Sequence, residues 1–231
     1  MISIIIPTYN EGDQIEETIR KIHSASQTHI TEVIVVDGGS KDQTISIARN
    51  CGAITILSPK KGRAAQMNYG ASIAKGEVLY FLHADSRPPR DFTAYITTAL
   101  VKGFSSGCFR LRFDQSHWFL NANCWFTRFD LNAVRFGDQS LFVTHDVFNK
   151  SGGFDESLLM MEDQEIIHRI KKSGRFTVMN ASVITSARKY RDNGIYRMQM
   201  IFYRIWLMYY LGYSQEHLLQ THRRLIANHK L

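Results

Sequence analysis

Residues 78–82, Val-Leu-Tyr-Phe-Leu, form an unbroken apolar run between Gly76 and the polar segment His83-Ala84-Asp85-Ser86, with Pro88-Pro89 just beyond. Such a run predicts a strand buried on both faces, at home in the middle of a mostly parallel sheet. Mostly apolar runs at 2–6, 33–36 and 54–57 predict three more strands. Between them, 14–25, 44–51 and 64–74 read as helices, the first with Ile15, Ile19 and Ile22 at spacings of four and three. Asp42 or Ser40 is placed to cap the second. Strand–helix alternation at this pitch means βαβ units and a parallel sheet, and right-handed crossovers put helices on both of its faces.

The second half is less regular. Helices are predicted at 91–102, 118–131 and 162–171, strands at 106–113 and 141–143, and short closing strands at Val178 and 183–184. Residues 195–211 are nearly all apolar or aromatic, interrupted by Arg197, Gln199 and Arg204. A membrane-spanning helix needs about 20 predominantly apolar residues, and arginines near the middle are costly in lipid. Packing against the body or a second subunit is the first expectation for this piece, an in-plane membrane helix the second. No linker or repeat divides the chain. Residues 2–6 lack the length and basic flank of a signal peptide.

Charge changes this picture in one respect. The net charge is +7, yet residues 1–100 carry ten basic and ten acidic side chains, so the excess lies entirely in the second half. From Arg188 onward there are eight basic and two acidic residues. A basic end calls for an anionic partner: a diphosphate, a membrane surface or nucleic acid. No nucleic-acid motif accompanies it. Cys51, Cys108 and Cys124 are odd in number and show no metal or redox spacing, which fits a reduced, cytoplasmic compartment.

The chemistry-bearing residues gather at predicted strand ends. The first strand runs into Pro7-Thr8-Tyr9-Asn10-Glu11-Gly12, the second into Asp37-Gly38-Gly39-Ser40, the fourth into His83-Ala84-Asp85. Ligands of open α/β sheets bind beyond the carboxyl ends of the strands. Tyr9 can stack on a base, Asp37 can accept from a uracil N–H or a ribose hydroxyl, and Gly38 lets the backbone approach a ligand. Asp-Gly-Gly-Ser is also an ordinary turn, and Asp85 can equally cap a following helix. The dinucleotide fingerprint and the Walker loop are both absent, which argues against nicotinamide and P-loop enzymes.

Taken together, Ile4-Ile5-Ile6-Pro7-Thr8-Tyr9-Asn10-Glu11, Val35-Val36-Asp37-Gly38-Gly39-Ser40, Gly62-Arg63-Ala64-Ala65-Gln66-Met67-Asn68, His83-Ala84-Asp85, Gly152-Gly153-Phe154 and Glu162-Asp163 resemble the family-2 glycosyltransferases over residues 1–190. Two further segments, Phe136-Gly137-Asp138-Gln139 and Thr185-Ser186-Ala187-Arg188-Lys189, resemble a bacterial subgroup associated with arsenosugar-type biosynthesis. The resemblance implies a GT-A type α/β fold over 1–190 with a helical extension over 191–231. It also implies an inverting transfer of sugar from a nucleoside diphosphate, UDP first and GDP second, to an acceptor hydroxyl. Pro7, Thr8, Tyr9, Glu11, Asp37, Gly38, Arg63, Ala84 and Asp85 would bind the nucleotide, and Arg188 and Lys189 the diphosphate. Asp138 and Gln139 would meet the acceptor, and Asp85 with His83 would hold manganese or magnesium. Asp163, beside Glu162, would be the general base.

Each role has a plainer counterpart. Carboxylates in a first helical turn are favoured there without any catalysis, Gln66 and Asn68 can simply face the core, and Trp118, Phe119, Trp125 and Phe126 can be packing. His83 stands where many family members have aspartate, which removes a negative charge from a cation site. A buried histidine bonded to a carbonyl is the alternative. The basic, aromatic C-terminal segment suggests attachment to the inner face of the membrane with a lipid-like acceptor, or a homodimer contact. The rival readings are a non-catalytic nucleotide-sugar-binding scaffold and a sugar-nucleotide pyrophosphorylase. The latter needs a glycine-rich basic first loop that residues 8–12 do not supply.

Overall fold

The computed structural model describes residues 1–26, 30–132 and 137–226. Phe136 and the last five residues of the 191–231 extension lie outside the described residues. In chain order the elements are β1 (Ile2–Thr8), α1 (Gly12–Ala25), β2 (Ile30–Asp37), α2 (Thr44–Asn50), β3 (Ile54–Leu57), α3 (Arg63–Ile73) and β4 (Val78–Phe81). Then come β5 (Ser86–Arg87), α4 (Phe92–Val101), β6 (Ser106–Phe113), α5 (Trp118–Phe126), β7 (Leu141–Thr144) and α6 (His145–Lys150). The chain closes with α7 (Glu162–Ser173), β8 (Phe176–Thr185), α8 (Arg188–Asn193), α9 (Ile195–Tyr210) and α10 (Gln215–Leu225).

The strands form a single sheet in the order β3-β2-β1-β4-β7-β6-β8-β5. β1 to β4 are mutually parallel, as the alternating pattern predicts. The second half departs from parallel: β7 lies antiparallel between β4 and β6, and the two-residue β5 runs antiparallel to β8. β4 is thus covered on both edges as well as both faces, which is why its sequence is apolar throughout. Alternate side chains of β1 serve opposite layers. Ile4 and Ile6 pack with Ile15, Ile19 and Ile22 of α1 and with Phe92 of α4. Ile5 packs with Met67 of α3 and Ile166 and Ile170 of α7. α3 comes so close that a Cβ on Gly70 would sit 2.5 Å from Ile5 Cγ2, so only glycine fits there.

Three expectations need correction. The aromatic helix ends at Phe126 rather than 131, because the Thr127 hydroxyl donates to Cys124 O and accepts from Leu111 N, turning the chain onto β6. The two short closing strands are one ten-residue strand, β8, paired along its length with β6. Thr177, Asn180 and Ser182 break its apolar pattern because several of its side chains are only half buried. Asp42 accepts from Thr44 N, while neither Asp42 nor Ser40 is the residue at the N-cap, which is Gln43.

A third apolar cluster belongs to the chain's end. Met198, Ile201 and Ile205 of α9 pack with Leu218 of α10, Tyr190 of α8 and Leu120 of α5. Met160 and Met161 adjoin this cluster, so the C-terminal helices close over the segment that leads into α7.

Candidate active site

Thr8 and Asp37 are partners in register at the carboxyl ends of β1 and β2. Gln66 Nε2, buried on α3, donates to Thr8 O and Val36 O at 2.8 Å each and fixes the two strand ends together. Asn10, in the left-handed region at φ 53, accepts from Lys41 N at 2.8 Å, and its own N–H donates to Ser40 Oγ at 2.8 Å. The first two loops are therefore one stitched surface. Asp37 lies at its base, 2% exposed, accepting from Gly39 N and Ser40 N at 2.8 Å and from the Ser40 hydroxyl. Its carboxylate holds its own turn, while Tyr9, 38% exposed, stands at the rim.

The third loop brings in the C-terminal half. Ser86 and Thr185 pair across β5 and β8, and their hydroxyls meet at 3.0 Å. Ser186 N donates to Asp85 O at 3.2 Å. This pairing delivers Arg188 to the donor edge, where its Nη2 donates to both Glu11 oxygens at 3.3 and 3.0 Å. Burial works against the Arg188 cation, but the charges of Glu11 and then Asp85 outweigh it and hold the guanidinium firmly protonated. Asp85 lines a small recess with Arg87, Asp114 and Ser186.

The described residues contain no group of three or more His, Cys, Asp or Glu side chains able to hold a metal alone. A single carboxylate still fits manganese or magnesium in this setting, because such ions take most of their oxygens from substrate phosphates and water. Asp85 offers that carboxylate. His83 does not share its recess: the ring faces the other hollow, with Nδ1 2.9 Å from Asp138 Oδ1.

That other hollow is a cavity of about 160 Å³. Its polar wall is Arg63, His83, Asp138, Asp163 and Lys189. Arg63, at the start of α3, pairs through Nε with Glu162 and through Nη2 with Asp163 at 3.5 Å. Glu162 is 1% exposed, and its second oxygen has no hydrogen-bond partner. Asp163 is thereby left facing the cavity. Burial first, and the neighbouring Glu162 charge second, push its carboxyl up to about 6, against the pull of Arg63 and His83. Met161, just before them, is held in the left-handed region at φ 71, a conformation that costs a non-glycine residue energy and recurs at functional sites.

Asp138 sits on the 3₁₀ turn Gly137–Gln139. Burial alone would raise its carboxyl, but the hydrogen bond and charge of His83, with Lys189 and Arg63 behind, bring it down to about 2. The same contact raises His83 in spite of its burial. Gln139 is 2% exposed and donates to Phe109 O and Thr127 O, so it supports the turn from beneath rather than lining the cavity. Lys189 lines the cavity with Asp138, parted from Arg188 on the donor edge. Asn68 donates to Phe154 O and accepts from Phe154 N at 2.8 Å each, fixing the Gly152-Gly153-Phe154 segment below the site.

The rest of the lining is largely apolar, with Met160, Met161, Phe202, Ile205 and Trp206, and includes Asn123, Gln164, Gln199 and His222. Sequence reasoning missed these as site residues. The signal was present in the aromatic 195–211 stretch, whose run of apolar side chains reads equally as packing.

Comparisons with known proteins give the family and the fold. A family profile described as Glycosyl transferase family 2 matches residues 3–154, taking in all three donor-edge loops and Arg63. An undecaprenyl-phosphate 4-deoxy-4-formamido-L-arabinose transferase from Pseudomonas fluorescens is 30% identical over 112 residues, 45% of this chain and 33% of its own length. The chain thus spans only about a third of that relative. Among solved structures, a mannosyltransferase from Pyrobaculum calidifontis in complex with GDP-Man and Mn2+ superposes with a TM-score of 0.71 at 19% identity, covering 90% of this chain and 61% of that one. Staphylococcus aureus TarS in complex with UDP gives 0.66 at 18% identity, covering 95% and 69%. The fold is that of the GT-A glycosyltransferases. With a profile spanning most of the sheet and every donor-edge loop, the chain belongs to glycosyl transferase family 2.

Proposed function

We propose that the protein transfers a sugar from a nucleoside diphosphate to an acceptor hydroxyl, with Asp163 as general base and inversion at the anomeric carbon. The observation that carries this reading is Asp163 itself: a carboxylate raised to about 6, facing a cavity, steered by Arg63 and separate from the Glu11–Arg188 edge. A base poised near neutral pH is suited to taking a hydroxyl proton as the oxygen attacks. The acceptor oxygen forms its bond to the anomeric carbon while the bond from that carbon to the diphosphate oxygen breaks. The electron pair leaves with the diphosphate, and the acceptor proton passes to Asp163.

Tyr9, Thr8 and Glu11 with Gly38 form the nucleotide floor, and Pro7 and Ala84 shape its ends. Asp85 would hold manganese or magnesium, which when bound withdraws charge from the departing diphosphate. Arg188 would turn from Glu11 to the diphosphate, as guanidinium does for phosphates generally. UDP is the donor we favour, as the solved relative TarS carries UDP, and GDP, carried by the mannosyltransferase, is the second choice. A thermal-shift series with UDP and GDP, with and without MnCl2, tests the reading. The expected result is a rise in Tm for one nucleotide, enlarged by manganese, since a ligand that binds only the folded form stabilises it. No rise with any nucleoside diphosphate overturns it.

The reading extends to where the protein works. Tyr196, Met200, Tyr203 and Leu207 follow one another along a single side of α9 and are 52%, 62%, 40% and 52% exposed. On α5, Trp118 and Trp125 are exposed too, and the rings of Phe119 and Tyr196 stand 5.0 Å apart. No helix among the described residues is long and apolar enough to cross a membrane. Tyrosine and tryptophan favour the bilayer–water interface, and the six basic against two acidic residues beyond Lys189 suit an anionic surface. We therefore assign this face to the anionic cytoplasmic leaflet. The protein is expected to sediment with phosphatidylglycerol vesicles and not with phosphatidylcholine vesicles, and added salt should release it. A concentration-dependent dimer that ignores both vesicle types would give the face to a second copy instead.

A further inference from the structure

The lining of the cavity beside Asp163 has a charged part and a largely apolar part, and the apolar part says what kind of molecule brings the hydroxyl. Met160, Met161, Phe202 and Ile205 present no hydrogen-bonding side-chain groups, so a polyol pressed against them would lose water from its hydroxyls without replacement. The volume of about 160 Å³ is close to the about 150 Å³ at which an apolar cavity takes a benzene ring. Two polar side chains in this lining are already engaged: Gln199 Oε1 accepts from the Tyr190 hydroxyl at 2.8 Å and Gln164 Oε1 from the Tyr210 hydroxyl at 3.1 Å.

Resting on the transferase reading above, we infer that the acceptor is an alcohol with an apolar body of about one ring. Its body lies between α9 and Met160-Met161, and its hydroxyl reaches Asp163. The C-terminal helices then act as the acceptor's selectivity wall, while the donor edge is built wholly from elements that precede α9 and α10.

Saturation-transfer NMR on the full chain with benzyl alcohol and glycerol tests this, with UDP and GDP binding measured on the same samples. Benzyl alcohol is expected to bind more than about tenfold tighter than glycerol. Met160→Trp fills the cavity from a loop position, and should weaken benzyl alcohol by about tenfold or more while nucleotide affinity serves as the control for folding. If a nucleotide binds but benzyl alcohol does no better than glycerol, or is indifferent to Met160→Trp, the inference falls and the transferase reading stands. If no nucleotide binds, both fall together.

Discussion

Replacing Asp163 by asparagine should lower kcat by about a thousandfold and leave donor affinity nearly unchanged. The amide keeps the shape of the side chain and cannot take a proton. Donor contacts lie on the other edge, at Tyr9, Glu11 and Arg188, so they should not feel the change. In the unaltered protein, kcat/KM should climb with pH through an apparent value near 6, where the carboxyl loses its proton. The variant should lack that limb. Stability should move the opposite way. The folded-state carboxyl titrates above its ordinary 3.8, so the native form holds more protons than the unfolded chain across that interval, and Asp163 costs stability as pH rises through about 6. Above that pH the asparagine variant should therefore melt at a higher temperature than the parent, and the gap should close below pH 4 or so. A variant that turns over normally would remove Asp163 from the mechanism.

Arg63→Met should be the most damaging single change to the fold of the site. Glu162 is 1% exposed, has one oxygen already without a partner, and depends on Arg63 for its counter-charge. Removing one member of a buried pair leaves the other uncompensated, typically at about 3 kcal/mol; the third of the Arg63 side chain that meets solvent puts the expected loss at the lower end of that class. Urea unfolding would read it directly. A second readout separates positioning from stability. The Arg63 charge holds the Asp163 carboxyl down, so without it the rising limb of the pH–rate profile should shift to higher pH. An unshifted limb would mean that Arg63 merely braces the helix ends.

How far the sequence alone reaches depends on the range of the forces involved. β1, β2 and β4 declare themselves because each carries a buried apolar run, at 4–6, 33–36 and 78–81, and the loops that follow must then share one edge. Glu162-Asp163 was legible as a helix start. Its controlling partner was not, because the Arg63–Glu162 pair spans 99 residues and neither side chain hints at the other. The fates of Asp37 and Gln139 were hidden for a related reason: both types suit ligand binding, and only the backbone geometry reveals that each is satisfied by N–H or carbonyl groups of its own surroundings. Lys189 and Arg188, adjacent in the first turn of α8, part company because neighbouring helix residues do not share a face: Lys189 lines the cavity and Arg188 pairs with Glu11. The cavity wall escaped because an apolar side chain facing a hollow and one facing a core leave the same trace in a sequence.

The strand order carries a consequence for biogenesis. β4 takes β1 on one side and β7 on the other, and β7 is made only after α4, β6 and α5 have followed it out of the ribosome. Until then the nascent chain holds a half-sheet whose most apolar strand has an open, unpaired rim, the arrangement that recruits stray strands from neighbouring chains. Efficient production in a foreign host should accordingly respond to holdase chaperones and slower translation more than to anything done to the finished surface.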